Sequence, residues 1–269
     1  MPDTIDTFSW IGSDSPHIGK PSITTAGKVV IGRYGGHEDA GAAQNTHGAL
    51  VWAAPDGAWE FAALMAATTS AQSAALVLDV LQNAHTDLTH LLDEPASYAF
   101  PQLKILMESL FNSADFRAQA QQLYGESSVL LVARKGGFLW WMNIGDSVVY
   151  VLHPELAQRH HYALNQRHAF QWVGRSNTFA LPVPAYSNGV CELRQKRSTL
   201  VMTSGSLLDT GSVTFADPSL FYAWFMERDD LSESVQMALL EVYKSVSAAS
   251  VTLIAWRTDN PNPASQPSR

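Results

Sequence analysis

The sequence predicts an α+β protein in which a β-sandwich of two antiparallel sheets is flanked by helices. Strands and helices occur in separate blocks along the chain rather than in alternation, which argues against a parallel α/β sheet. Several predicted strands are apolar on both faces, as expected when other layers cover a sheet on each side. The 269 residues contain no internal repeat and no convincing linker, so one domain is the simplest interpretation.

The N-terminal part of the chain is predicted to be mainly β-structure. Residues 1–28 are expected to form one strand and a loop that belong to the same domain as residues 29–257. Residues 49–54 and 59–68 are predicted to pair as a β-hairpin, because Pro55-Asp56-Gly57 between them is a strong tight-turn signal.

Helices are predicted where apolar residues recur at spacings of three and four. This pattern occurs over residues 70–81, 103–111, 114–123, 221–227 and 231–246. Ser70 is a plausible N-cap of the first of these helices. Pro101, which precedes the second, is expected in its first turn.

The remaining strands are predicted between and after the helical blocks. A β-meander is expected at residues 128–134, 138–144 and 147–152, followed by an irregular insertion at 154–184. A further strand pair is expected at 190–193 and 199–203, then a last strand at 251–256. Residues 258–269 are predicted to form a flexible tail.

Composition excludes several classes of function. The formal net charge of −8 and the absence of a basic stripe argue against nucleic acid as a partner. A single cysteine, Cys191, excludes an internal disulfide and a cysteine zinc cluster. No apolar run approaches the roughly 20 residues that span a bilayer, and the N-terminus lacks an apolar leader. We therefore expect a soluble, cytoplasmic protein that does not bind membranes.

Few short motifs indicate a catalytic or ligand-binding site. The sequence lacks a phosphate-binding loop, a dinucleotide fingerprint and a zinc helix. His37-Glu38-Asp39 places three candidate metal ligands in a row on a loop, although consecutive side chains rarely all face one ion. Gly145-Asp146-Ser147 lies between two apolar strands and is, by itself, typical of a turn.

Taken together, two segments resemble the metal-dependent serine/threonine phosphatases of type 2C. Residues 127–132 resemble the central strand of that family, and Asn143-Ile144-Gly145-Asp146-Ser147-Val148-Val149-Tyr150 resembles its N-x-G-D-S-x-x-Y motif. The resemblance extends from about Gly32 to Arg257 and implies a sandwich of two antiparallel sheets flanked by helices. It also implies two magnesium or manganese ions, held by carboxylates, that activate a bridging water.

The positions that match the family's metal-binding motifs carry other residues here. The first motif, Asn-Glu-Asp, corresponds to Asn45-Thr46-His47, although His37-Glu38-Asp39 is a rival match that leaves about ten extra residues before the strand. The aspartate that follows the hairpin corresponds to Met65 or Ala66. The aspartates of the last two motifs correspond to Gly205 and Ala249.

Two acidic residues persist at positions that resemble ligands of a third, weaker metal in the family. These are Asp146 and Asp209, the latter four residues after Gly205. Two carboxylates without the main pair make a poor magnesium site, so we interpret them as vestigial metal ligands. Asp209 has an alternative interpretation as a helix N-cap or turn residue.

The leading hypothesis is a catalytically degenerate phosphatase, a pseudophosphatase, with a binding or regulatory role. It would need no cofactor and would bind a phosphoprotein or another protein partner. The alternative is an active phosphatase with a rearranged magnesium or manganese site, built from Glu38, Asp39, Asp146 and Asp209 with His37 or His47. A third hypothesis is a plain interaction domain, in which the eight tryptophans and the insertion Gln158 to Tyr186 form a contact surface.

Overall fold

The structure is a computed structural model that describes residues 4–265. Its strands are β1 (Asp6–Ile11), β2 (Ser22–Ala26), β3 (Val29–Tyr34), β4 (His47–Ala53), β5 (Trp59–Ala67), β6 (Glu126–Lys135), β7 (Phe138–Ile144), β8 (Val148–Leu152), β9 (Val173–Gly174), β10 (Ser187–Glu192), β11 (Lys196–Thr203) and β12 (Val251–Asn260). Its helices are α1 (Gln72–Asn83), α2 (His85–Asp93), α3 (Ala96–Asn112), α4 (Ala114–Gln121), α5 (Pro154–Ala157), α6 (Gly205–Leu208), α7 (Val213–Ala216), α8 (Pro218–Met226) and α9 (Leu231–Lys244).

The strands form two antiparallel sheets, which confirms the predicted fold class. The first sheet has the order β1-β4-β5-β6-β7-β10, with β9 paired to β6, and the second has the order β2-β3-β12-β11-β8. Side chains such as Leu64 and Trp256 fill the space between the sheets. Helices α1 to α4 cover the outer face of the first sheet, and α8 and α9 cover the outer face of the second. None of the helices within residues 4–265 combines the length and apolar character needed to cross a bilayer.

The predicted hairpin is confirmed, and its strands are buried on both faces. β4 and β5 pair antiparallel, with His47 opposite Ala66, and all nine residues of β5 are buried. A strand this apolar cannot lie at a solvent-facing edge without exposing a large apolar surface. It therefore lies inside the first sheet, with the other sheet on one side and helices on the other.

Two predicted strand pairings are wrong because the chain crosses between the sheets. β8 does not continue a meander with β7 but pairs with β11 in the second sheet. Gly145 lies at this crossing with φ of 104°, and a Cβ on it would lie 2.4 Å from the Cβ of Ser128. β10 does not pair with β11 but adds to β7 as an edge strand of the first sheet.

Several element boundaries also differ from the prediction. Residues 4–28 contribute two strands, since β2 follows β1, and α2 occupies a stretch for which no helix was predicted. Pro101 lies inside α3 rather than in its first turn, because the helix begins directly after Pro95. The predicted flexible tail begins too early: residues 258–260 pair with β11 as the end of β12, and residues 266–269 lie outside the described part of the chain.

Candidate functional site

A cleft with a volume of about 510 Å³ opens at one end of the sandwich. Antiparallel pairing brings the start of β4, the end of β5, the β7–β8 turn, the start of α6 and the approach to β12 to this end. The sequence-predicted positions that line the cleft are Thr46, His47, Ala66, Asp146, Gly205 and Ala249. Four motifs that are widely separated in the sequence thus meet at one place.

Three of the predicted positions, Asn45, Met65 and Asp209, are not among the residues that line the cleft. Met65 faces the layer between the first sheet and its helices, so Ala66 is the position of that motif that lines the cleft. Asn45 is buried beneath the cleft, where its Nδ2 donates to the carbonyl oxygen of Pro16 at 3.0 Å. Its Oδ1 accepts a hydrogen bond from the backbone N–H of His47 at 3.1 Å. Asn45 therefore orients the chain that enters β4.

His47 is a neutral side chain that joins the two sheets. Its Nδ1 lies 3.0 Å from Oγ1 of Thr252 on β12, and 5% of the residue is exposed. Burial lowers the pKa of His47 from 6.5 to about 4, because a charged imidazolium loses its hydration in the interior. At neutral pH the cleft therefore holds an uncharged imidazole at a position where the resemblance expects a carboxylate.

The other predicted wall residues are small or already hydrogen-bonded. The hydroxyl of Thr46 donates to the carbonyl oxygen of Ala67 at 2.5 Å, so its hydrogen already has an acceptor within the protein. Ala66 and Ala249 present only methyl groups. The walls therefore offer little of the carboxylate oxygen that hard divalent cations prefer.

Asp146 and Asp209, which the sequence analysis interpreted as vestigial metal ligands, lie on either side of one guanidinium. Nη1 of Arg167 donates to Oδ1 of Asp209 at 2.9 Å, and Nη2 donates to Oδ2 of Asp209 at 2.5 Å. The same Nη2 lies 3.6 Å from Oδ2 of Asp146. The hydrogen bonds from Arg167 lower the pKa of Asp209, and Asp209 in turn raises the pKa of Arg167.

Gly205 is enclosed by this charged group. A Cβ on Gly205 would lie 2.2 Å from Oδ2 of Asp146 and 3.0 Å from Nη2 of Arg167. Such contacts are well inside van der Waals separation, so any side chain here would force Asp146 to move. The packing around Gly205, a position where the resemblance expects an aspartate, therefore leaves no room for a side chain.

His37, Glu38 and Asp39 lie at a different place. They line a second pocket of about 350 Å³ together with Lys20 and Tyr243. The backbone N–H of Asp39 donates to Nδ1 of His37 at 3.1 Å, which caps a short 3₁₀ turn. Of the acidic residues in the rearranged-site hypothesis, Glu38 and Asp39 thus line a different pocket from Asp146. Within residues 4–265, no three His, Cys, Asp or Glu side chains are placed to hold a metal ion together.

The tryptophans do not form the contact surface that the third hypothesis expected. Five of the eight are buried in the apolar layers: Trp10, Trp52, Trp59, Trp140 and Trp256. Trp172 is an exception, because it lies in the insertion and lines the cleft.

Sequence reasoning missed two residues of the site, Arg167 and Trp172. Both come from the insertion, which returns to the cleft after α5. No periodicity or short motif marks either residue, so the sequence carried no usable signal for them.

Comparisons with known proteins agree on the fold. No protein-family profile and no curated protein sequence matches the chain. Solved structures do match over nearly the whole chain. A bacterial serine phosphatase is similar at a TM-score of 0.56 and 11% identity, covering 96% of this chain and 98% of the other. PppA of Pseudomonas aeruginosa, described as a key regulatory component of T6SS, is similar at a TM-score of 0.56 and 13% identity, with coverages of 95% and 97%.

A third structure is the catalytic domain of the serine/threonine protein phosphatase PstP in complex with two manganese ions. It is similar at a TM-score of 0.52 and 15% identity, covering 95% of this chain and all of that one. Identities this low establish the architecture and not the activity. The comparisons therefore confirm the resemblance read from the sequence at the level of the fold: this chain has the fold of the bacterial type 2C serine/threonine phosphatases.

Proposed function

We propose that the protein is a pseudophosphatase, in which a phosphatase fold has a binding or regulatory role in place of metal-dependent hydrolysis. One observation carries the proposal. The positions where the resemblance expects metal carboxylates converge on a single cleft, and the side chains there are neutral. These positions are Thr46, His47, Ala66, Gly205 and Ala249.

The chemistry of the donor set supports the proposal. A pair of magnesium or manganese ions that activates a bridging water needs several hard oxygen ligands, chiefly carboxylates. Asp146 supplies the one carboxylate among the cleft-lining residues that the structure describes, and it lies beside the guanidinium of Arg167. The residues present therefore do not fit a binuclear metal centre, and we derive no catalytic step from one.

A protein partner is the ligand class that we favour, with a phosphoprotein as one candidate. PppA, which shares the fold, is described as a regulatory component, so a regulatory role has a precedent on this architecture. The partly buried Trp172 lines the cleft, and the exposed Phe170 lies two residues before it on the insertion, so this segment offers apolar contact area. The net charge of −8 argues against nucleic acid as a partner. A cytoplasmic location is a separate part of the proposal.

Calorimetry and a hydrolysis assay test the proposal together. The full chain is titrated with Mn²⁺ and with Mg²⁺, and p-nitrophenyl phosphate is then offered with each ion. We expect no saturable heat and no metal-dependent turnover above the rate of a buffer control. A manganese-dependent rate that exceeds this control would refute the proposal and favour an active phosphatase with a rearranged site.

A further inference from the structure

We propose that Arg167 is a built-in cation, which takes the place of a metal ion between Asp146 and Asp209 and fastens the insertion beside the cleft. This inference builds on the proposed function, because a protein that held its metal ions would not need a resident cation here. The inference concerns how the insertion is held beside the cleft, not which ligand the cleft binds.

The geometry of the three side chains supports this role. Arg167 reaches Asp209 through two parallel hydrogen bonds, the arrangement in which a guanidinium matches a carboxylate best. Its Nη2 also approaches Asp146, so one positive group lies against two negative ones. Two carboxylates that share a site without a cation would repel each other, and the guanidinium removes that cost.

The three residues come from three separate parts of the chain. Asp146 lies in the β7–β8 turn, Asp209 follows α6 as its C-cap, and Arg167 belongs to the insertion. The contact therefore connects the insertion to the β7–β8 turn and to the end of α6, and Trp172 of the same insertion lines the cleft. Loss of the guanidinium would release the rim of the cleft rather than the core of the protein.

Neighbouring bonds show that this stretch of the insertion is fitted to the turn. The backbone N–H of His168 donates to the carbonyl oxygen of Gly145 at 2.9 Å. Oδ1 of Asn165 accepts from the N–H of Val149 at 2.9 Å, and its Nδ2 donates to the carbonyl oxygen of Ser147 at 2.8 Å. Arg167 lies between Asn165 and His168 in the sequence, so its ion pair adds to the hydrogen bonds that these two residues make with the β7–β8 region.

Hydrogen–deuterium exchange of the full chain tests the proposal. The variants are Arg167→Met, which removes the charge at similar length, and Arg167→Lys, which keeps it. Arg197→Met is the matched control, because Arg197 forms an exposed pair with Asp259 on β11 and β12 outside the cleft. We expect the amides of residues 165–172 to exchange about fivefold faster in Arg167→Met and at the wild-type rate in Arg197→Met. Arg167→Lys should fall between them, because it keeps the charge but loses the two parallel hydrogen bonds.

Manganese alone provides the second measurement. In Arg167→Met the two carboxylates are free, so we expect millimolar Mn²⁺ to slow exchange of residues 165–172 again, with no such effect on the wild-type protein. Should Arg167→Met fail to fold, Asp209→Ala removes the other half of the pair and is expected to loosen the same segment.

Two results would overturn the inference. One is wild-type exchange in residues 165–172 of both Arg167→Met and Asp209→Ala. The other is protection of this segment by Mn²⁺ in the wild-type protein, which would mean that Arg167 does not exclude a metal. Manganese-dependent hydrolysis by the wild-type protein would refute the proposed function without changing the exchange comparison, so the two failures are distinguishable.

Discussion

His47 is expected to make the stability of the fold depend on pH between about 4 and 6.5. Burial lowers the pKa of His47 to about 4 in the folded state, while the unfolded chain keeps a value near 6.5. The unfolded state therefore binds a proton more readily, and falling pH favours unfolding. The fold is unaffected above pH 6.5 and loses stability as the pH falls from 6.5 to about 4. Since one pKa unit corresponds to about 1.4 kcal/mol, this loss is about 3 kcal/mol.

Urea unfolding followed by circular dichroism at a series of pH values measures this effect. The variant His47→Asn keeps an amide near the position of Nδ1, within reach of Thr252, but does not titrate. We expect its free energy of unfolding to fall by about 3 kcal/mol less than that of the wild-type protein between pH 6.5 and 4. The exposed His161→Asn serves as the control and should follow the wild-type curve. Parallel curves for the wild-type protein and His47→Asn would show that His47 is not held neutral.

Two further predictions concern packing and buried charge. Gly205→Ala is expected to lower the free energy of unfolding by about 1–3 kcal/mol, because its Cβ would overlap Asp146. Thermal unfolding measures this loss, and an unchanged circular dichroism spectrum shows that the variant still folds. Arg134→Met is expected to lower the free energy of unfolding by up to about 3 kcal/mol, since it breaks the buried pair of Arg134 with Glu60. Lys28, whose Nζ lies 3.0 Å from Oε1 of Glu60, remains to compensate part of that charge. The exposed Arg197→Met should leave the urea midpoint unchanged, and an equal effect of both arginine substitutions would contradict the burial argument.

The sequence predicts the fold class and the central hairpin because these depend on local signals. Pro55-Asp56-Gly57 marks a turn, and the unbroken apolar pattern of residues 59–68 marks burial on both faces. The assignment of strands to sheets depends on where the chain crosses between layers. That crossing is decided by contacts such as the close approach of Gly145 to Ser128, which are distant in sequence and leave no periodicity.

The convergence of these positions on the cleft was predictable wherever they lie near a recognisable strand. Thr46, His47, Gly205 and Ala249 lie at a strand end or within two residues of one, and the apolar pattern of the strand fixes their place. The choice between Met65 and Ala66 was not predictable, since it depends on which face of β5 meets the cleft. Arg167 was not predictable either, because the insertion that carries it has no regular pattern.

The side chains at the cleft positions where the resemblance expects carboxylates are each held by their own contacts. His47 is bonded to Thr252 across the sheets, the hydroxyl of Thr46 is bonded to the strand beside it, and Gly205 has no room for a side chain. Each of these contacts would have to be broken or displaced before a carboxylate could return. An aspartate at Gly205 would also meet Asp146, which already lies beside Arg167. Substitution of a single position by aspartate therefore places an extra negative charge in a wall that is already packed. It lowers stability and does not supply the several carboxylates of a binuclear metal site.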